Sequence, residues 1–323
     1  SFLLRQNSSI LVPDTPNSRS LHSQVVPKGG GLVIIISTVS LIGIYQAIYQ
    51  SIAVMHVLIA LLVGCIAVLG WFDDRYNLRI RTRIITQIVI ACAMVYLLAR
   101  LQGINIAGYH LELPDWLLFV SIVVWVVWMT NLFNFMDGID GLVSTQSTIA
   151  TVVLACWFYQ EDAPNLVLLN MTLAGALVGF SFHNWRPASV FLGDIGSLTL
   201  GIYFAVMGII GWTVYRLPVE AFMLLYGVMF CDATVTLMVR ILRRERWWEA
   251  HSSHFYQRLV RLGYNHAQVT SLAVMVTVCL SIYATLLIHE RAPQWLWILL
   301  GGLTLAGCGL IIEHKEKKHL NLK

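Results

Sequence analysis

The chain has 323 residues, 58% hydrophobic and only 12% charged, with a formal net charge of +4 and a mean hydropathy of +0.72. A soluble domain carries about 25% charged residues, so a soluble globular enzyme, a disordered regulator and a coiled coil are excluded. What remains is a polytopic membrane protein, in which the placement of Lys and Arg matters more than their sum.

Ten apolar stretches of about 20 residues follow one another, each long enough to cross a hydrocarbon core of about 30 Å. They run from Gly31 to Tyr49, Ser51 to Gly70, Ile84 to Ala99, Trp116 to Phe135 and Gly138 to Tyr159. The rest are Asn165 to Phe182, Phe191 to Val214, Val219 to Ile241, Gln268 to Ile288 and Trp295 to Ile312. None alternates with the period of a membrane β-strand, so the expected fold is all-α, with about ten transmembrane helices in one domain over residues 1–323. The six cysteines fall singly inside these runs with no CxxC pair, and neither a disulfide framework nor a zinc site is expected.

Ten crossings return both ends to the same side. That side then collects every Lys and Arg of the 21 except Arg100, Arg216 and Arg291. The positive-inside rule makes it cytoplasmic. Only one loop there, residues 242–267, is long enough for structure of its own, and it holds Trp247, Trp248, His251, His254, Phe255, Tyr256 and His266. The two tryptophans read as interfacial anchors. The basic blocks need topology alone, with anionic-lipid binding as a weaker second reading.

The carboxylates gather on the same side. Asp73-Asp74 follow the second stretch, Asp137 and Asp140 lie in NLFNFMDGIDGL, Asp194 opens the seventh stretch in VFLGDIGS, and Asp232 lies about two turns inside the eighth. Adjacent and i,i+3 carboxylates repel, so a cluster of them needs a compensating cation. Mg²⁺ suits one or two carboxylates plus substrate phosphates. For Asp194 a helix cap explains the residue equally well. Asp232, among apolar neighbours, is a functional hypothesis by default. Gly29–Gly31 fit either a phosphate nest or a plain turn into the membrane. There is no GxGxxG or Walker sequence, so nucleotide binding by a soluble-type fold and a nucleic-acid partner are not expected. His251 and His254, three apart, would share one helical face, as a metal pair or phosphate clamp requires.

In order, PNSRSLHSQVVPKGGG, GWFDDRYNLRIRTRIITQ, NLFNFMDGIDG, NWRPASVFLGDIGSLTLG and EAHSSHFYQRL resemble the signatures of the polyprenyl-phosphate N-acetylhexosamine-1-phosphate transferases. The resemblance implies transfer of a sugar 1-phosphate from a UDP-N-acetylhexosamine to undecaprenyl phosphate, with release of UMP, in a bacterial inner membrane with the site facing the cytoplasm. It implies Mg²⁺, with Mn²⁺ as an alternative, held by Asp194 and Asp74. It implies catalytic roles for Asp73, Asp74, Asp137 and Asp140, substrate contacts from Asn134, Asn184, His251, His254 and Lys28, and support from Asp232. Relatives carry a further helix before the PNSRSLHSQ arm, so eleven are expected in the native protein. Ser252 stands where many relatives have Arg, and HSSHFYQRL is most similar to the short enzymes that initiate O-antigen on N-acetylated, often 6-deoxy, hexosamines. Several glycine faces permit a homodimer. The rival class is an ion- or proton-coupled transporter, favoured only by the depth of Asp232.

Overall fold

The structure, a computed structural model, describes residues 11–15, 25–49, 54–98, 103–246, 248 and 251–321. Ser1–Leu4, Arg5, the PNSRSLHSQ segment with Arg19, Arg100, Trp247 and Lys323 lie outside the described residues. The chain is an all-α polytopic membrane protein with two small hairpins.

A hairpin of β1 (Val12–Asp14) and β2 (Val26–Lys28) precedes α1 (Gly31–Tyr49), α2 (Val54–Tyr76) and α3 (Ile80–Leu98). A second hairpin, β3 (Ile104–Ile106) and β4 (Tyr109–Leu111), leads into α4 (Asp115–Met136), α5 (Leu142–Gln160), α6 (Pro164–Asn184) and α7 (Asp194–Thr213). Then come α8 (Val219–Leu225), α9 (Gly227–Leu242), α10 (Phe255–Arg261), α11 (His266–Ile288) and α12 (Gln294–Asn321). Each of the ten apolar stretches coincides with a helix or, for the eighth, with the pair α8–α9. By length and composition, seven described helices can cross a membrane, or eight if α8 and α9 count as one span.

The differences from expectation are local. Helix α2 runs past its apolar stretch to Tyr76, so Asp73 and Asp74 stand on its last turns rather than after it. The chain between Met136 and Leu142 is a tight turn closed by Gly141 at φ 76°. The eighth stretch is broken, with α8 and α9 meeting at 85° around Tyr226. There the Tyr226 hydroxyl donates to the Phe204 carbonyl at 3.3 Å, and a Cβ on Gly227 would stand 2.9 Å from Leu280. The bend is set by a glycine and a packing contact rather than by proline. Helix α12 continues beyond Ile312 into charged sequence, because a helix leaving the membrane needs no further apolar residues.

Helix α7 is the axis. All its residues except Asp194 and Trp212 are buried, as expected of a helix that is apolar all round. It packs against α2 and α4. Close approach comes from glycine, as in membrane helices generally. A Cβ on Gly31 would lie 2.2 Å from the Gly196 Cα, and one on Gly70 would lie 2.6 Å from the Asp194 carbonyl. These two crossings draw the start of α1 and the end of α2 onto the start of α7, which is where the acids meet.

Candidate active site

The first turn of α7 organises the site. Asp74 accepts the N–H groups of Asp194 (3.1 Å) and Ile195 (3.0 Å), where the helix dipole favours negative charge. Lys28 Nζ, at the end of β2, lies 3.3 Å from Asp74 Oδ1. Gly193 permits this approach: its φ is 76°, and a Cβ there would be 2.8 Å from Asp74 Oδ2 and 3.0 Å from the Gly29 nitrogen. The glycine run has its own partners. Gly29 and Gly30 donate to the Phe191 carbonyl (3.2 and 2.9 Å) and Gly31 to Leu192 (2.9 Å). Those N–H groups are used within the protein, so the phosphate-nest reading gives way to the turn into the membrane.

Asp73, on the next position of α2, accepts the Leu78 N–H at 2.9 Å and faces Arg83 Nη1 at 2.9 Å. Arg83 also donates to Asn134 Oδ1 at 3.2 Å. Asn134 in turn donates to Asp194 Oδ1 at 2.8 Å and Ser197 Oγ at 3.2 Å. One turn further along, Asn131 on α4 donates to Gln87 on α3 at 2.6 Å, which fixes the two helices that carry Asn134 and Arg83. Burial and a hydrogen bond with Asp194 push the Asp73 carboxyl up from 3.8 to about 7, against the opposing pull of Arg83. Asp74 is raised by burial and then by Asp194. Half-buried Asp137 is pushed well above the carboxylate range by desolvation and by the charges of Asp194, Asp74 and Asp14, with the Gly193 N–H opposing. Four expected acids are therefore together: Asp73, Asp74, Asp137 and Asp194.

A divalent cation fits this set. Asp73 and Asp194 are hard-oxygen ligands within hydrogen-bond reach of one another, and Asp73 Oδ2 has the Arg83 guanidinium as its ionic partner. Among the described residues no three His, Cys, Asp or Glu side chains form a ready cage; two carboxylates with substrate phosphates are a donor set that Mg²⁺ accepts. The pairing differs from expectation, since Asp74 is occupied by two N–H groups and Lys28 while Asp73 faces Asp194. A pH dependence follows. A carboxyl raised from 3.8 to about 7 contributes stability that is present below its ordinary value and lost as pH rises through 7. In chelator the thermal midpoint should fall between pH 6 and 8, and Mg²⁺ should restore it mostly at pH 8. A midpoint equally insensitive to Mg²⁺ at both pH values would count against the ion's seat.

Two expected site residues serve the scaffold. Asp140 lies 3.2 Å from His266 Nδ1 and accepts the Ala188 N–H at 3.3 Å. Burial raises its carboxyl, but His266, that N–H and Arg186 together hold it below the ordinary value. Asn184, 4% exposed, accepts from Gly141 N and Ser144 Oγ (both 3.1 Å) and donates to the Val190 carbonyl at 3.0 Å. Its amide clasps the Asp137–Gly141 turn to the segment before α7 instead of facing outward.

The histidine loop is held from α9. Asp232 accepts the N–H groups of Phe255 (2.9 Å) and Tyr256 (3.1 Å), which open α10, and lies 3.1 Å from His254 Nδ1. The depth of Asp232 thus has a local structural cause. Tyr256 donates to the Phe135 carbonyl at 3.0 Å, joining this loop to the Asp137 turn. The His251 and His254 rings are 4.8 Å apart. Burial, then the charges of His254 and Arg240, lower His251 to about 4, so it is neutral at pH 7. Its Nδ1 accepts from Ser253 N at 3.4 Å, leaving Nε2 to carry the proton. Sequence reasoning treated Arg83 only as a topology marker, named Tyr256 without a role, and passed over Asp14 and Ser197. Asp14 was findable from its place in the Val-Pro-Asp run before the arm; Arg83 from its spacing to Asp73 only once α3 was known to follow directly.

The family model for glycosyl transferase family 4 matches residues 54–212, the span that holds Asp73, Asp137 and Asp194. A probable undecaprenyl-phosphate N-acetylglucosaminyl 1-phosphate transferase of Bacillus subtilis is 27% identical over 289 residues, 88% of this chain and 78% of the relative. A decaprenyl-phosphate N-acetylglucosaminephosphotransferase of Mycobacterium tuberculosis is 27% identical over 92% of this chain and 81% of its own. A phospho-N-acetylmuramoyl-pentapeptide-transferase of Wolbachia pipientis is 28% identical over 70% of this chain and 71% of its own.

Proposed function

Because the chain belongs to glycosyl transferase family 4, among the polyprenyl-phosphate N-acetylhexosamine-1-phosphate transferases, we propose that it transfers N-acetylhexosamine 1-phosphate from a UDP-sugar to undecaprenyl phosphate and releases UMP. The observation that carries this reading is the Asp73–Asp194 pair, with Arg83 on Asp73 and Lys28 on the adjacent Asp74. Bond formation joins an oxygen of the lipid phosphate to the β-phosphorus of the donor, and the bond from that phosphorus to the UMP oxygen breaks. Two anions meet, so the site must supply positive charge.

When bound, Mg²⁺ would neutralise the donor's diphosphate, with Asp73 and Asp194 holding it. Lys28, 22% exposed, is placed to attract the incoming lipid phosphate. Asn134 orients Asp194, and Arg83 orients both Asp73 and Asn134. Asp137, whose carboxyl is pushed up by burial and then by the neighbouring acids, is suited to donate a hydrogen bond to the nucleotide sugar when protonated. His251 Nε2–H can donate to a donor oxygen. Asp232 keeps His254 and α10 in place.

The finer reading is initiation of O-antigen or a related cell-surface polysaccharide, supported by HSSHFYQRL and by Ser252. Cytoplasmic placement in a bacterial inner membrane is supported by the one-sided arrangement of Lys and Arg. The test is to incubate purified protein with undecaprenyl phosphate, Mg²⁺ and a panel of UDP-N-acetylhexosamines, 6-deoxy forms included. UMP release is expected only with acceptor lipid present. No release with any donor, from folded protein, overturns the reaction; release confined to a donor carrying a muramoyl peptide overturns the O-antigen reading.

A further inference from the structure

Helix α10 has only seven residues, too few to keep its place by its own hydrogen bonds. Its start is tied to α9 through Asp232, and its Tyr256 hydroxyl to the Phe135 carbonyl on α4. A rigid element held at two points still turns about the line between them. A third attachment comes from the part of α12 that runs past its apolar stretch.

Gly309, Ile312, Glu313 and Glu316 recur at spacings of three and four, so they share one face of α12. The Phe255 ring of α10 lies beside this face, 3.9 Å from where a Cβ on Gly309 would stand, and Ile312 is buried. Two turns on from Gly309, Glu316 takes Arg258 of α10 in a two-pronged pair. Arg258 Nε donates to Oε1 at 3.0 Å and Nη2 to Oε2 at 2.5 Å. The same guanidinium stands 4.9 Å from the centre of the Phe255 ring. Lys315, next to Glu316, donates to the Tyr264 hydroxyl just beyond the end of α10. A forked arginine–carboxylate pair fixes direction as well as distance.

We propose that Glu316 is a positioning residue for the histidine loop. By holding Arg258 it fixes the rotation of α10, and with it His254, which caps that helix, and His251, whose ring lies 4.8 Å from that of His254. The inference rests on the reading that these histidines face the nucleotide-sugar donor. The pair is 18% and 31% exposed, so it contributes little to global stability and its directed geometry is what α10 gains. A contact that holds the donor alike before and during reaction shows in KM rather than in kcat.

The full chain and its variants R258Q, E316Q and R258Q/E316Q are compared in turnover and in amide hydrogen exchange. E316Q should raise the KM for the UDP-sugar about fivefold, the size of a partly exposed ion pair. Its kcat, its KM for undecaprenyl phosphate and its thermal midpoint should stay near those of the unaltered protein. R258Q should do the same, and the double variant should be no worse than either single one, because both remove one interaction. K317Q, one residue further along α12, should change nothing. Exchange at residues 255–261 should quicken in E316Q while the rest of the bundle is unaffected. Unchanged exchange there overturns the attachment, and quicker exchange with an unchanged donor KM overturns the positioning role. Additive losses in the double variant, or an equal loss in K317Q, overturn the proposal as well. Turnover by the unaltered protein, measured alongside, separates these outcomes from failure of the reaction itself.

Discussion

Asp194→Asn is expected to lower UMP release by at least about three orders of magnitude while leaving the protein as stable as before, or more stable. On the proposed reaction, the loss follows from removing one of the two carboxylates that would hold the cation beside the transferring phosphoryl group. The unchanged stability follows from the same geometry. Asp194 is one of the charges that raise Asp73, Asp74 and Asp137, so an amide relieves repulsion. It can still accept from Asn134, now 2.8 Å away. Loss of function with gained stability is the signature of strain kept for activity. Turnover near normal would remove Asp194 from the ion's seat, and a collapsed thermal midpoint would make it a scaffold residue.

Asp74→Ala is expected to behave in the opposite way, losing about 3 kcal/mol of stability as well as turnover. Asp74 is 6% exposed, and its two oxygens satisfy the first two N–H groups of α7 as well as facing Lys28. Removal orphans buried donors at the start of the central helix. Lys28 is about a fifth exposed, so water takes up part of its loss. Asp74→Asn can keep only part of this bonding and should fall between. Unfolding in detergent, followed together with UMP release, separates the two aspartates. Equal stability of Asp194→Asn and Asp74→Ala would refute the division of labour between them.

Much of the fold was legible because hydropathy is a local property and a membrane helix needs little else. The missed boundaries mark where hydropathy stops being informative. Helix α2 extends past Gly70 as far as Tyr76, α12 past Ile312 as far as Asn321, and the eighth stretch hides an 85° bend. An apolar run looks alike whether straight or broken, and a helix outside the membrane carries no apolar signal. In the site, Asp73, Asp74, Asp137 and Asp194 were visible as acids on one basic rim. Arg83 was not, because it is one of four arginines in the run that starts at Arg75 and ends at Arg83, and only packing of α3 against α4 selects the one that reaches Asp73.

The sequence by itself determined a membrane bundle, the family and the group of acids, because composition, periodicity and ordered motifs are local to the chain. Only the tertiary structure decided what each polar residue does. Asp73 faces Asp194 while Asp74 caps α7; Asp140 and Asn184 brace the turn; Asp232 anchors the histidine loop; and the Gly29–Gly31 N–H groups bond to Phe191 and Leu192. The reason is physical. In a low-dielectric interior a polar group's role depends on which partner comes within about 3 Å. That distance is set by glycine crossings between helices far apart in the chain.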